Sequence, residues 1–171
     1  MSQLLRHLIA CLALLACMPS LALAQSPEEK AIGAYTLDMT KLNKYAAVTE
    51  KIAAMVQANP SLATKYEGEA SKANESLDET IKSLEKIPEL SSAVRSQGFT
   101  MRDYMMTTLA VAFATMYREM KKADPRAELP AGVNPANVKF LDQHAAEVRK
   151  IEARVQAAQA KIEAAEKKGK R

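Results

Sequence analysis

The sequence predicts an all-α fold, and more specifically an antiparallel four-helix bundle with a long C-terminal helix. Aromatic residues make up 5% of the 171 residues, and a chain with few aromatic and β-branched side chains disfavours β-sheets. Apolar residues recur at helical spacing in four stretches, which is the main sequence signal for amphipathic helices. An apolar fraction of 48% excludes a disordered chain, and the length allows one domain.

The first 24 residues have the anatomy of a cleaved secretory signal. Arg6 supplies the positive start, residues 8–17 are apolar, Pro19 breaks the run, and Ala22-Leu23-Ala24 gives a small-x-small cleavage site. The apolar run is too short to span a membrane. We therefore expect a periplasmic or secreted protein after cleavage near Ala24, with residues 25–171 forming a single helical-bundle domain.

An alternative is lipoprotein processing at Cys17, because Leu14-Leu15-Ala16-Cys17 loosely matches a lipobox. With cleavage after Ala24, however, both Cys11 and Cys17 leave with the signal. The mature chain is then expected to have no disulfide, no thiol nucleophile and no thiolate metal site.

The first two long helices are expected at residues 36–58 and 61–86. Apolar residues recur at helical spacing in both stretches. A proline ends each helix, at Asn59-Pro60 for the first and at Pro88 for the second. A short helical segment closed by Gly98 is expected to follow Pro88.

The third helix, residues 100–122, has the clearest start signal in the chain. Thr100 with Asp103 forms a variant of the capping box, and Phe99 with Tyr104 forms a hydrophobic staple. The body of this helix is apolar nearly all round, which predicts that it is the most buried helix of the bundle.

The fourth helix, residues 135–168, opens with Asn134-Pro135. A seven-residue repeat runs along it, and such a repeat is typical of a coiled-coil or bundle seam. The seam positions are Leu141, Val148, Val155 and Ile162, together with His144, Ile151, Ala158 and Ala165. The helix is longer than its neighbours, so its last turns are expected to overhang the bundle.

The expected core collects the apolar seam positions of all four helices. It comprises Leu42, Tyr45, Ile52, Leu77, Ile81, Leu109, Phe113, Met116, Leu141, Val148, Ile151 and Val155.

His144 is the one histidine left after cleavage, and its seam position predicts that it faces inward. One hypothesis makes it a ligand to haem or a metal inside the bundle, with Met105 or Met116 as a second, soft ligand. The alternative is a boundary histidine that is hydrogen-bonded to a neighbouring hydroxyl or carboxylate. A hydrolase built on His144 would need a serine and a carboxylate beside it.

Five methionines lie on the third helix, at positions 101, 105, 106, 116 and 120. Clustered thioethers bind Cu(I), but these spacings follow helical core positions instead, and methionine commonly fills gaps in cores. A third alternative is an adaptable pocket for an apolar ligand between helices.

The last 23 residues, 149–171, carry eight Lys or Arg against three Glu. An overhanging basic end would suit an anionic envelope component or an acidic protein partner, while the lack of aromatic residues argues against nucleic acid. The candidate partner-binding residues are Lys161, Lys167, Lys168, Lys170 and Arg171. The alternative is a solvated helix end whose cations favour the helix dipole.

Two stretches resemble a family of small secreted bacterial all-helical proteins of unassigned function. The first is Gly98-Phe99-Thr100-Met101-Arg102-Asp103-Tyr104, and the second is Asn134-Pro135-Ala136-Asn137-Val138-Lys139-Phe140-Leu141 with His144 close behind. The resemblance implies a periplasmic setting and an all-α fold, and it carries over no activity. With no catalytic motif in the chain, we expect a non-enzymatic binding or interaction protein.

Overall fold

The computed structural model describes residues 26–72 and 76–169, and the predicted signal lies outside this part of the chain. The fold is all-α, as predicted, and the described residues form helices and no strand. The helices are α1 (Pro27–Ala34), α2 (Met39–Ala58), α3 (Ser61–Lys72), α4 (Leu77–Glu85), α5 (Pro88–Ser96), α6 (Met101–Ala123), α7 (Pro135–Gln143) and α8 (Ala145–Gly169).

The start of α6 confirms the predicted capping box. Thr100 and Asp103 form a reciprocal capping box, so two of the free N–H groups of the first turn are satisfied. Phe99 is buried, and the Tyr104 ring lies 5.8 Å from the Tyr45 ring of α2. Gly98 has a φ of +66°, the left-handed conformation that glycine adopts without strain.

The predicted second helix, residues 61–86, is instead two helices, α3 and α4. Ser76 has an extended backbone and its side chain accepts a hydrogen bond from the Glu79 N–H, so it caps a new helix. The apolar spacing continues through this break, which is why the sequence pattern alone suggested one helix.

The predicted fourth helix is also interrupted, at His144. This residue ends α7 with a φ of −108° and a ψ of 28°, and α8 begins at the next residue. The seam nevertheless continues across the break, since Leu141, Val148 and Val155 are all buried. A seven-residue repeat predicts which face of a helix is buried. It does not show whether a single residue within the repeat departs from helical geometry.

The buried side chains form two core clusters, and α2 contributes to both. The first core cluster consists of Val48, Ile52, Val56, Leu62, Ala63, Ile81, Leu84, Ile87, Leu90, Ala93, Val94, Phe99, Met101 and Ala165. The second core cluster consists of Leu37, Leu42, Ala46, Ala110, Ala114, Leu141, Val148, Ile151 and Val155. Tyr45 packs against both clusters.

The finer expectation of an antiparallel four-helix bundle is not confirmed. The beginnings of α2 and α8 lie in the second core cluster and their later parts approach the first, so these two helices run in the same direction. Arg154 of α8 binds Glu50 of α2 through two hydrogen bonds of 2.8 Å. By the same reasoning α6 runs opposite to α2, because Met101 lies in the first cluster and Ala114 in the second.

The expected overhang of the last turns of the C-terminal helix is wrong. Ala158 and Ala165 are 3% and 6% exposed, and α8 contacts both α2 and α3. Because α3 is distant from α8 in the sequence, no local pattern could indicate this contact.

The expectation that α6 is the most buried helix is also wrong, because it has five buried residues and the shorter α2 has seven. The buried positions of α6 are Met101, Met106, Thr107, Ala110 and Ala114. Leu109 and Phe113 are half-buried, and Met116 is 37% exposed, so the apolar residues on the outer face are only partly covered. Apolar side chains all around a helix do not show which face its neighbours cover.

Seven of the twelve predicted core residues are buried. They are Leu42, Ile52, Ile81, Leu141, Val148, Ile151 and Val155.

In the part of the chain that is described, no helix combines the length and hydropathy that a bilayer span requires.

Candidate functional site

An open groove of about 480 Å³ lies between the end of α6, the loop that follows it and α7. Its apolar lining residues are Tyr117, Leu129, Pro135 and Val138. Its polar lining residues are Lys139, Asp142 and Gln143. This α6–α7 groove has the mixture that small-ligand sites use, namely apolar walls with a few polar groups at fixed positions.

The loop between α6 and α7 folds back over α6 and so forms one side of the groove. Gly132 has a φ of +79°, and a Cβ atom there would lie 3.1 Å from Cε2 of Phe113. Glycine is therefore needed both for the backbone conformation and for the close approach to the ring. Val133 is buried, which holds the end of the loop against the body of the protein.

A buried hydrogen-bond network fixes α7, the other wall of the groove. The Oδ1 atom of Asn137 accepts a 2.8 Å hydrogen bond from the Leu37 N–H, and its Nδ2 donates a 2.8 Å bond to the Tyr35 carbonyl. The Tyr35 hydroxyl lies 2.9 Å from the Thr107 hydroxyl of α6. Because Asn137 is 2% exposed, this network ties α7 to α6 through the segment between α1 and α2.

Two of the groove residues carry charge, and only one of them is paired. Asp142 accepts a 2.8 Å hydrogen bond from Nε of Arg118 on α6. Lys139 is exposed and makes no hydrogen bond or ion pair with any residue in the described part of the chain. Beside the groove, the Lys121 ammonium donates to the Pro125 carbonyl and lies 5.8 Å from the Tyr117 ring centre.

Exposed apolar side chains adjoin the groove. The large hydrophobic residues that are exposed in the described part of the chain are Met116, Met120 and Leu129, at 37%, 39% and 44%. Leu129 lines the groove itself. Met116 and Met120 are four residues apart and therefore neighbours on one face of α6, and Met120 is three residues from Tyr117.

His144 does not lie in a constellation of polar groups. Its ring packs against Phe140 with 4.8 Å between ring centres, and among the described residues its side chain has no hydrogen-bond partner. Neither a serine nor a carboxylate is hydrogen-bonded to the His144 side chain in this part of the chain.

The two proposed soft ligands lie in different surroundings. Met105 is partly buried and packs against the first core cluster, whereas Phe140, the ring partner of His144, packs against the second. Met116 is exposed on α6. Within residues 26–72 and 76–169, no three His, Cys, Asp or Glu side chains are grouped as metal ligands would be.

The basic residues near the C-terminus are only partly described. Lys161 and Lys167 are exposed on α8, and Lys168 lies in the same helix. Lys170 and Arg171 lie outside the described residues. Arg154, which is also on α8, lowers the pKa of Glu50 by hydrogen bonding, and the Lys161 charge adds to this effect.

Sequence reasoning missed the α6–α7 groove. Leu129 is an isolated large apolar residue in a polar, proline-bounded loop, and it follows a helix rich in methionine. These two features of the sequence could have pointed to an apolar surface here. Whether Leu129 lines a groove, however, depends on how the loop folds over Phe113.

Comparison of the chain with protein-family models, with curated proteins and with solved structures gives no match. The resemblance of the two stretches to small secreted bacterial helical proteins therefore stays a prediction.

Proposed function

We propose that the chain is a non-enzymatic, exported binding protein that holds an apolar ligand in the α6–α7 groove. The observation that carries this proposal is the groove with its apolar lining, continued by exposed Met120 and Met116 on α6. Export is supported by the signal anatomy of the first 24 residues.

The properties of the groove suit a small ligand better than a reaction. The groove has a volume of about 480 Å³ and is open to solvent, so a bound ligand would stay partly exposed. The Asn137 network holds α7 in place, so little conformational freedom is lost on binding. Methionine side chains adapt to ligands of different shape, which favours a class of apolar ligands over one compound.

Titration with the neutral fluorescent probe N-phenyl-1-naphthylamine tests this proposal. The wild-type protein should enhance and blue-shift the probe emission. Leu129→Asp should weaken binding about tenfold, because it removes apolar contact and brings a charge beside the ligand. Ala157→Asp, an exposed change on α8, is the matched control and should bind as the wild type does.

Circular dichroism must first show that both variants retain the wild-type helicity. Equal probe affinity in the wild type and Leu129→Asp would remove the groove from the proposal. No probe binding by the wild type would overturn it.

The alternative is a haem- or metal-binding bundle that uses His144 with Met105 or Met116. An absorption titration of the protein with haem or Cu(I) tests it directly. Identical spectra for the wild type and His144→Ala would count against it.

A further inference from the structure

We infer that the groove ligand is a fatty acid anion, with its carboxylate at Lys139 and its alkyl chain on the apolar wall. This inference rests on the proposed function and adds the chemical class of the ligand. It is carried by charge complementarity between the groove and one negative headgroup.

The groove has one uncompensated charge, and it is positive. Of its two charged lining residues, Asp142 is neutralised by Arg118 at 2.8 Å, while Lys139 has no partner among the described residues. Lys121 adds a second cation beside Tyr117. Glu128 precedes Leu129 in the loop but does not line the groove. A carboxylate placed here would find an available ammonium group, whereas a cationic ligand would be repelled.

The arrangement of the apolar residues favours a flexible chain. Tyr117 lies in the groove, Met120 is three residues further along α6, and Met116 is four residues from Met120. Residues with these spacings are neighbours on a helix surface, so the apolar strip continues from the groove onto the exposed face of α6. An alkyl chain can follow such a strip, while a compact rigid ligand would contact only the groove.

The experiment compares three ten-carbon amphiphiles as competitors of bound N-phenyl-1-naphthylamine, using the protein as isolated from expressing cells. Decanoate should displace the probe at about threefold lower concentration than neutral 1-decanol, and decyltrimethylammonium should be the weakest. The advantage is modest because Lys139 is exposed and ion pairs in water are weak. It should shrink when salt is raised to about 1 M, since screening then acts within ~3 Å.

Variants of Lys139 separate the headgroup contact from the apolar contact. Lys139→Gln should bring decanoate to the affinity of decanol without changing the decanol result, and Lys139→Arg should keep the advantage of decanoate. Lys82→Gln, an exposed lysine on α4, is the matched control and should behave as the wild type does.

The outcomes distinguish the two proposals. If decanoate and decanol compete equally with the wild type, or if Lys139→Gln keeps the advantage of decanoate, the fatty acid inference is overturned while the apolar site stands. If the probe itself does not bind, both fall. Native mass spectrometry should show one decanoate per monomer. A dimer that excludes decanoate would mean that a second copy occupies the groove, and it would also overturn the inference.

Discussion

Asn137 shows how one buried polar residue organises distant parts of the chain. Its amide bridges the Leu37 N–H and the Tyr35 carbonyl, so two backbone groups of an extended segment are satisfied inside the protein. The capping pair Thr100 and Asp103 could be predicted from the sequence because the partners are three residues apart. The partners of Asn137 are about a hundred residues away, and no local pattern reports them.

Asn137→Ala is expected to lower the free energy of unfolding by about 1–3 kcal/mol, since it leaves a buried N–H without its acceptor. Urea unfolding followed by circular dichroism measures this. The control is Gln57→Ala, where the side chain is exposed and the expected loss is below roughly 0.5 kcal/mol. Equal losses for the two variants would show that the Asn137 network does not stabilise the fold.

Glu50 gives a pH dependence that can be predicted with its sign. The hydrogen bonds from Arg154 hold its pKa below the ordinary value of 4.5, so the carboxylate stabilises the folded state above that pH. This contribution is lost as the pH falls through the lower folded pKa. Glu50→Gln should therefore cost below about 1 kcal/mol at pH 7, because the pair is partly exposed.

The difference between wild type and Glu50→Gln should shrink as the pH is lowered from 7 to below 4.5, and urea unfolding along this pH series measures it. A penalty that grows as the pH is lowered would contradict the assigned sign.

At the scale of helices, the sequence predicted where the helices lie along the chain better than which of their faces are covered by neighbouring helices. Six of the eight seam positions of α7 and α8 are buried, because the periodicity of the seam is a property of the helices themselves. The exposure of Met116 on α6 and the break at His144 depend instead on which other elements pack against each helix. The Asn137 network sets the direction of α7, whereas packing against α2 sets the direction of α8, and the chain changes direction between them at His144.

Two leucines that the sequence assigned equally to the core should now differ in their contribution to stability. Leu141 is 1% exposed, and Leu141→Ala should cost about 2–5 kcal/mol, as in well-packed cores. Leu109 is half-buried on α6, so Leu109→Ala should cost clearly less. Thermal or urea unfolding of the two variants provides the comparison, and a larger loss for Leu109→Ala would contradict this assignment of the faces of α6.

At the scale of the whole molecule, the end of α8 belongs to the core. Ala165 is buried in the first core cluster and Ile162 packs against it. The basic residues around them are on the solvent side, as the exposure of Lys161 and Lys167 shows. The candidate partner-binding lysines therefore lie on a helix whose opposite face is part of the core.

Deleting residues 160–171 should destabilise the protein and not merely remove charge. A loss of about 2 kcal/mol from the missing apolar contacts would lower the Tm by about 4–8 °C in a chain of this size. The double variant Lys161→Gln, Lys167→Gln removes two charges and keeps Ile162 and Ala165, so its Tm should stay close to that of the wild type. A Tm for the truncated chain equal to that of the double variant would show that this end is dispensable.

The parallel pairing of α2 with α8 has a consequence for the folding rate. Two helices that run in the same direction cannot be joined by a short turn, and here the pairing joins residues about a hundred positions apart, as Glu50 and Arg154 are. Closing such a loop costs entropy before its contacts repay it, and a high contact order slows folding. This all-helical protein should therefore fold more slowly than an up-and-down bundle of the same length, because its longest helix pair forms only once the C-terminal helix is available.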